Sequence, residues 1–189
     1  MKKMLCLLLI AVMLTALCGC GGAQPEQAPM PVPGGDGQAA QIANPWRDCT
    51  EAEANENCPR SFVAPEGAEN VQWSILESAA DPSGIPGALI QLSFDLDGTG
   101  FTAREQVTGD EEIDRSGMYY DWTVEDESTL QFWADGAMPC RTFRYVGENE
   151  FADLCIWYDE EAGISYSLSV TAADLAGFDI RAVAGAMCG

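Results

Sequence analysis

The sequence predicts an α+β fold: an antiparallel, curved sheet of six to eight strands with a short N-terminal helix and a C-terminal helix. Three observations support this prediction. Apolar residues alternate with polar ones along several segments, turn-forming pairs separate those segments, and helix-capping patterns lie at both ends. Residues 45–189 are enough for a single globular domain with its own hydrophobic core.

A short helix is expected near the start of this domain. Thr50 followed by Glu53 is a capping-box pattern, which predicts a helix that begins at Glu51. Pro59 disfavours helical geometry at Cys58, so this helix should have at most about two turns.

Strand signals dominate the rest of the domain. The clearest segment is GISYSLSV at 163–170, where large apolar residues occupy one face and three serines the other. Alternation with one polar face is typical of an antiparallel sheet that packs on one side only, so we expect the serine face to meet water. The same alternation predicts strands at three more places: Val71/Trp73/Ile75, Ile90/Leu92/Phe94 and Tyr120/Trp122/Val124.

Turn and cap signals complete this prediction. Asp97-Gly98, Asp135-Gly136 and Gly147-Glu148 are turn-forming pairs between the predicted strands. An amphipathic helix is predicted to begin within Thr171–Asp174 and to carry Leu175, Phe178, Ile180 and Val183.

The first residues predict export. Lys2 and Lys3 form a positive start, and Leu5 to Leu17 is an uncharged apolar run of 13 residues. That run is shorter than the roughly 20 residues needed to cross a hydrocarbon core. Together with the small residue that follows, these features are typical of a signal peptide covering residues 1–19.

The end of this signal resembles a lipobox. Leu17 at −3, Gly19 at −1 and Cys20 at +1 match the pattern that implies cleavage before Cys20 and attachment of lipid, with acyl chains such as palmitate, to its sulfur. Cys18 fits less well, because it would place Leu17 at the cleavage position. An ordinary secretory signal with a chance cysteine is the alternative. Residues 20–44, rich in Pro, Gly, Gln and Ala, are then a lipidated N-terminus and flexible linker.

The charge balance excludes several classes of function. The nine basic residues include Lys2 and Lys3, so residues 20–189 keep seven arginines against 30 Asp and Glu, a formal charge of −23, without lysine or histidine. Histidine-activated nucleophiles, histidine-ligated metals and Schiff-base chemistry are therefore excluded for this part of the chain. We expect no cofactor and no nucleic-acid partner, and attraction for a basic or cationic partner or peptide.

Two cysteines are predicted to lie on neighbouring strands. A two-residue turn at Gly147-Glu148 would place Cys140 directly opposite Cys155, whereas a longer turn would shift them to a diagonal on the same face. We expect either a disulfide between these two cysteines or two buried thiols.

The remaining cysteines leave the disulfide pattern open. If residues 49–58 were helical, the Cα atoms of Cys49 and Cys58 would lie about 13 Å apart, beyond the limit of about 7 Å for a bridge. Either the helix breaks early or each of the two cysteines has a different partner, and Cys188 is available to either. With Cys20 lipidated, five cysteines remain, so at least one thiol should stay unpaired within a monomer.

One segment resembles a calcium loop. Asp95, Asp97 and Thr99 with Gly100 match positions 1, 3, 5 and 6 of such a loop. Gln106 stands where a bidentate glutamate is needed, and no helix precedes the segment. A hairpin turn is the competing interpretation, and these residues are therefore weak candidates for a metal site.

The order of several short motifs resembles that of a family of uncharacterised exported lipoproteins from Clostridia-like Gram-positive bacteria. The resemblance covers most of residues 44–186, through short motifs in a shared order: Asn44-Pro45-Trp46, Arg104 to Gly117, Trp157, Ser165-Tyr166-Ser167 and the final helix. This chain departs from the pattern by Asp114-Arg115-Ser116-Gly117 at the turn and by a shortened first helix. The resemblance implies fold and location, and it implies no activity, cofactor or catalytic residue.

These observations predict a non-enzymatic lipoprotein of the cell envelope, anchored on the outer face of the membrane, that binds or senses a partner there. One alternative is a small carboxylate-dependent hydrolase of cell-wall polymer, which would need two converging carboxylates. Another is a calcium-dependent adhesion or assembly module. The acidic clusters at 110–114 and 159–161 are expected on solvated loops. A concave sheet face with arginines and aromatic residues would instead suit an anionic or peptide ligand; the arginines are Arg104, Arg115, Arg141 and Arg144.

Overall fold

The structure is a computed structural model that describes residues 44–133 and 136–188. The predicted signal peptide, Cys20 and the linker up to residue 43 lie outside the described residues, as does Asp135 of a predicted turn. The described residues form eight strands and two α-helices, in this order: β1 (Trp46–Cys49), α1 (Glu51–Asn57), β2 (Glu69–Leu76), β3 (Leu89–Leu96), β4 (Thr99–Val107), β5 (Val124–Trp133), β6 (Gly136–Val146), β7 (Phe151–Asp159), β8 (Ile164–Ala172) and α2 (Ile180–Ala186).

All eight strands belong to one antiparallel sheet in the order β1-β2-β3-β4-β8-β7-β6-β5. The sheet is curved and not closed, so β1 and β5 form its two edges. All described residues belong to one compact unit. The predicted α+β fold with six to eight strands and a helix near each end is confirmed.

One face of the sheet, here called the apolar face, forms the hydrophobic core. Side chains alternate across a strand, so every second residue of the central strands points to this face. It is covered by α1, by the chain that follows α1 and by α2, and the Val63 amide donates to the Met187 carbonyl at 3.0 Å between these covers. The central strands contribute buried Ile75, Ile90, Leu92, Phe94, Phe101, Ala103, Trp157, Tyr166, Leu168 and Val170.

The opposite face, here called the polar face, is also buried along β8, and the expectation that its serines meet water is wrong. Ser165, Ser167 and Ser169 of β8 are 0%, 1% and 6% exposed. Residues 108–123, which connect β4 to β5, lie over this face. The Ile113 amide donates to Ser165 Oγ at 2.9 Å, so the serines are partners for a covering segment.

Two arginines hold this covering segment in place. Arg104 Nη1 donates to the carbonyl of Ser116 at 2.9 Å, and its guanidinium lies 5.3 Å from the ring centre of Trp46. Arg115 reaches back to Asp81 at 2.6 Å, and Gln106 donates to the same carboxylate at 3.2 Å. The polar face is therefore closed by these hydrogen bonds, by one largely buried ion pair and by contact of Trp122 with Phe143.

Two predictions from local sequence signals, the capped first helix and the turn at Asp97-Gly98, agree with the structure. The Glu53 amide donates to Thr50 Oγ1 at 3.2 Å, and α1 has seven residues, so the capped two-turn helix is confirmed. Asp97 and Gly98 form the β3–β4 turn with φ of +51° and +76°, which matches the left-handed geometry of a tight hairpin.

Two expectations about element bounds are wrong, and one strand was missed. Residues 120–123 lie in the covering segment, and the strand begins only at Val124. The last helix begins at Ile180, because β8 continues to Ala172 and Asp179 provides the N-cap by accepting from the Arg181 amide at 3.1 Å. Strand β1, which precedes the first helix, was not predicted.

Candidate functional site

The sheet divides where β6 and β7 separate. Their ladder runs from Val146 paired with Phe151 to Cys140 paired with Trp157. Beyond that pair, residues 136–139 of β6 continue beside β5 only, while the end of β7 stays paired with β8. Pro139 has no N–H, which disfavours extension of a ladder through it.

The space between the two separated strands is a cleft of about 680 Å³, here called the fork cleft. Its floor is formed by Cys140 at the last paired position and by Trp133, which are 4% and 3% exposed. Trp133 rests on the aromatic cluster of the core, with ring centres 5.0 Å from both Trp157 and Tyr166. The floor is thus rigidly supported from the core side.

Carboxylates outnumber arginines along the walls of the cleft. Five carboxylate side chains line it, against two arginines, Arg60 and Arg141. Arg60 is held by Asp159 at 2.5 Å and by Glu161 at 2.9 Å, and Arg141 is held by Glu112 at 3.1 Å. Both positive charges are therefore already engaged.

Two carboxylates of the cleft are not paired with an arginine. Among the described residues, no ion pair or side-chain hydrogen bond engages Glu127 or Glu160, and both are exposed. The cleft consequently offers negative charge beside an apolar floor, which suits a cationic group with an apolar stem.

Asp159 corrects one sequence expectation, because it is not on a solvated loop. Its side chain is 2% exposed, and Oδ1 accepts from the amides of Glu161 and Ala162 at 3.0 Å. Burial opposes its ionisation, but the Ala162 amide and the Arg60 guanidinium outweigh that cost and lower its pKa. Asp159 therefore holds the β7–β8 turn as a carboxylate, whereas Glu160 and residues 110–112 are exposed as expected.

The two predicted neighbouring cysteines lie diagonally across β6 and β7. The turn between these strands is closed by the Gly147 amide donating to the Glu150 carbonyl at 2.9 Å, which makes it longer than two residues. Cys140 therefore pairs with Trp157 and Cys155 with Thr142, so the directly opposed placement is wrong and the diagonal placement is confirmed. Both are free, buried thiols.

The weak candidates for a calcium site occupy a hairpin. Asp95 pairs with Gly100 and Leu96 with Thr99, and Asp95 Oδ2 accepts from Asn70 at 2.6 Å. Asp97 lies in the turn itself. Across residues 44–133 and 136–188, no group of three or more His, Cys, Asp or Glu side chains is arranged to hold a metal ion.

The hydrolase alternative requires a carboxyl group with a raised pKa in a cleft. Burial raises the pKa of Glu105 to about 8, although hydrogen bonds from the Ser61 hydroxyl and the Phe62 amide partly offset it. Glu105 is fully buried on the apolar face, between Ile90 of β3 and Tyr166 of β8. It therefore lies in the core and not among the carboxylates of the fork cleft.

All seven arginines of the domain already interact with other groups of the protein. Six of the seven form ion pairs with eight carboxylates, and Arg104 donates to Gln91 and to backbone carbonyls. A second hollow of about 440 Å³ near α2 shows the same pattern, because Arg144 there binds Asp153 and Arg181 binds Asp179. The arrangement disfavours an anionic ligand.

The fork cleft was not predicted from the sequence. Trp133, Tyr158 and Met138 were not singled out, and Cys140 was considered only for a disulfide. One local signal was available, since Pro139 interrupts a segment that otherwise alternates like a strand.

No helix among the described residues combines the length and apolar character needed to cross a bilayer. Comparison of the chain with models of protein families, with curated proteins and with solved structures gave no match.

Proposed function

We propose that this chain is a lipid-anchored, extracytoplasmic binding protein whose domain takes a cationic ligand, such as a lysine- or arginine-rich peptide segment, in the fork cleft. The observation that carries the proposal is the charge of the cleft: five carboxylates line it, and its two arginines are already paired. The apolar floor would accept the stem of a long basic side chain.

The anchoring part of the proposal rests on the sequence of residues 1–20. A diacyl lipid on Cys20 would hold the protein at a membrane, since two acyl chains give stable binding where one is marginal. Replacing Cys20 by Ala should release the protein from the membrane fraction or leave the signal uncut. Mass spectrometry of the wild-type membrane fraction should find the acylated peptide. Normal anchoring of the variant would contradict this part.

The binding part is tested with two peptides of equal length, one rich in lysine and one rich in glutamate. We expect the basic peptide to bind the full-length chain and the acidic one not to bind, as measured by calorimetry. Affinity should fall as the salt concentration rises, because dissolved ions screen the attraction between the basic peptide and the solvent-exposed carboxylates of the cleft. Equal binding of both peptides would contradict a cationic ligand.

Two variants locate the binding. Glu127→Gln and Glu160→Gln each remove one unpaired charge from the cleft, and each should weaken binding about twofold to fivefold. Glu66→Gln removes an exposed charge that does not line the cleft and should leave the affinity unchanged. If Glu66→Gln weakens binding as much as the cleft variants do, the peptide recognises overall charge and not this site.

A further inference from the structure

Two thiols lie one behind the other at the floor of the fork cleft. Cys140 lines the cleft at the last pair of the β6–β7 ladder, with 4% of its surface exposed. Cys155 is fully buried, and the register places it diagonally behind Cys140 on the same face. A reagent in the cleft would therefore meet the Cys140 sulfur first.

The surroundings make the two thiols chemically unequal. A hydrogen bond from Cys155 lowers the pKa of Cys140, and the nearby Arg181 charge and a hydrogen bond from Ser128 act in the same direction. Donating that hydrogen bond raises the pKa of Cys155, and so does its burial. The thiolate is the nucleophile in disulfide chemistry, so Cys140 is the better attacking group.

The diagonal placement also determines what kind of disulfide the pair would make. Diagonal neighbours on antiparallel strands lie about 7–8 Å apart, slightly beyond the limit of about 7 Å between Cα atoms for an unstrained bridge. Closing the bond must draw β6 toward β7 at the point where their ladder ends. Strained bridges of this kind are more easily reduced than structural ones.

We propose that Cys140 and Cys155 form a thiol–disulfide exchange site at the floor of the fork cleft, which reacts with a disulfide carried by a cationic ligand. The Cys140 thiolate attacks one ligand sulfur; a mixed disulfide forms, the ligand S–S bond breaks, and the first ligand thiolate leaves with the electron pair. The Cys155 thiolate then attacks Cys140 Sγ and expels the second ligand thiol. Two protein thiols are oxidised, one disulfide is reduced, and the two thiol protons end on the ligand thiols.

The exchange site stands on the position of the two thiols, while the preference for a cationic ligand rests on the proposed function. The probes are cystamine, a dicationic disulfide, and 3,3′-dithiodipropionate, a dianion of similar length. Full-length reduced protein is mixed with each, quenched by acid and mapped by peptide mass spectrometry. We expect cystamine to give a Cys140–Cys155 disulfide, about fivefold faster than the dianion because of the acidic walls.

The variants resolve the order of the steps. Cys155→Ser should trap the cysteamine adduct on Cys140, whereas Cys140→Ser should leave Cys155 unmodified. Cys49 is an internal comparator, because it is more exposed but burial raises its pKa, and it should react more slowly than Cys140. Circular dichroism establishes that each variant folds.

A measurement on the wild-type protein covers the case in which a variant fails to fold. Alkylation of native protein by iodoacetamide should modify Cys140 before Cys155. Modification of Cys155 first, or of both only after unfolding, would overturn the exchange site. Equal rates with the two disulfides at Cys140 would support the exchange site and would count against a cationic ligand in the cleft.

Discussion

The two faces of the same central strands are buried by different means. On the apolar face, β4 and β8 contribute Phe101, Ala103, Leu168 and Val170 to a core closed by helices. On the polar face, Arg104 of β4 and the serines of β8 are covered by the segment 108–123. The apolar face is held mainly by packing and exclusion of water, whereas the polar face adds directed hydrogen bonds and an ion pair to the packing of a few apolar residues.

This difference shows how a strongly acidic chain can close both sides of a sheet. Apart from Glu105, whose carboxyl accepts from Ser61 and Phe62, the apolar face tolerates changes of polarity poorly but depends on packing rather than on particular partner atoms. The polar face needs particular donors and acceptors, and each unpaired group there costs free energy because water is absent. Substitutions on the two faces should therefore differ in how much they lower the free energy of unfolding and in which second substitution restores it.

The largest effect is expected in the aromatic cluster of the apolar face. Trp157 stacks on Tyr166 at 5.3 Å and meets the ring of Phe62 edge-on at 6.0 Å. Trp157→Ala should lower the free energy of unfolding by about 3–5 kcal/mol, because it leaves a large cavity. Chemical denaturation monitored by circular dichroism measures this change.

Trp157→Phe is the matched control for that substitution. Among the described residues the Trp157 Nε1–H has no hydrogen-bond partner, so phenylalanine loses volume but also removes an unsatisfied donor. Its cost should stay below about 2 kcal/mol. A loss as large as that of the alanine variant would contradict the expectation that a phenyl ring fills most of the space of the indole.

The next effect concerns the ion pair that closes the polar face. Arg115→Ala would leave the Asp81 carboxylate, 2% exposed, without its counter-charge, at a cost of about 3 kcal/mol. Adding Asp81→Ala should recover part of this loss. Arg47→Ala, which breaks exposed pairs with Glu53 and Glu77, should cost much less than Arg115→Ala. Equal losses for Arg115 and Arg47 would contradict a role for burial.

A third effect is a pH dependence that originates on the apolar face. The folded protein holds the Glu105 proton up to about pH 8, whereas the unfolded chain releases it near the ordinary pKa of 4.5. The folded state therefore binds more protons between these values, and the free energy of unfolding should fall as pH rises from about 5 to 8. The slope from this group is at most about 1.4 kcal/mol per pH unit.

Glu105→Gln isolates that contribution, because the other titrating groups are the same in both proteins. Denaturation at pH 5, 6, 7 and 8 should show the variant gaining stability relative to wild type as pH increases. Parallel curves for the two proteins would mean that Glu105 has the same pKa folded and unfolded.

The smallest effect is expected at a single hydroxyl of the polar face. Ser165→Ala removes the acceptor of the Ile113 amide and the partner of the Thr108 hydroxyl, at 2.9 and 2.8 Å, and should cost about 1–2 kcal/mol. Hydrogen exchange at the Ile113 amide should accelerate. Ser167 is equally buried but makes no side-chain hydrogen bond among the described residues, so Ser167→Ala should be nearly neutral.

Much of the fold could be predicted because the responsible signals are local. Alternation at 163–170 reports one strand facing a core, and Thr50 and Asp97-Gly98 act within a few residues of themselves. The start of α2 was misplaced, since the same apolar residues, Leu175 and Phe178, pack on the core from a turn as well as from a helix.

The rest depends on pairs of residues far apart in sequence. Burial of the serine face requires a segment that precedes β8 by about 50 residues to cross it, and alternation cannot reveal such a cover. The fork cleft depends on where the ladder between β6 and β7 stops, and which residues lie there depends on the register, which is set by a turn two residues longer than the shortest possible. The lipid on Cys20 stays a prediction.

The position of β1 has a mechanical consequence. Within residues 44–133 and 136–188, this four-residue strand pairs only with β2, and it lies at the edge opposite β5. The fork between β6 and β7 is five to six strand spacings away, about 24–29 Å. If a ligand bound in that fork and the chain before Trp46 were pulled apart, the force would act across the strands. It would strain the hydrogen-bond ladder between one pair of strands after another. Strand β1 should detach first and lengthen the connection, while the walls of the fork keep their shape.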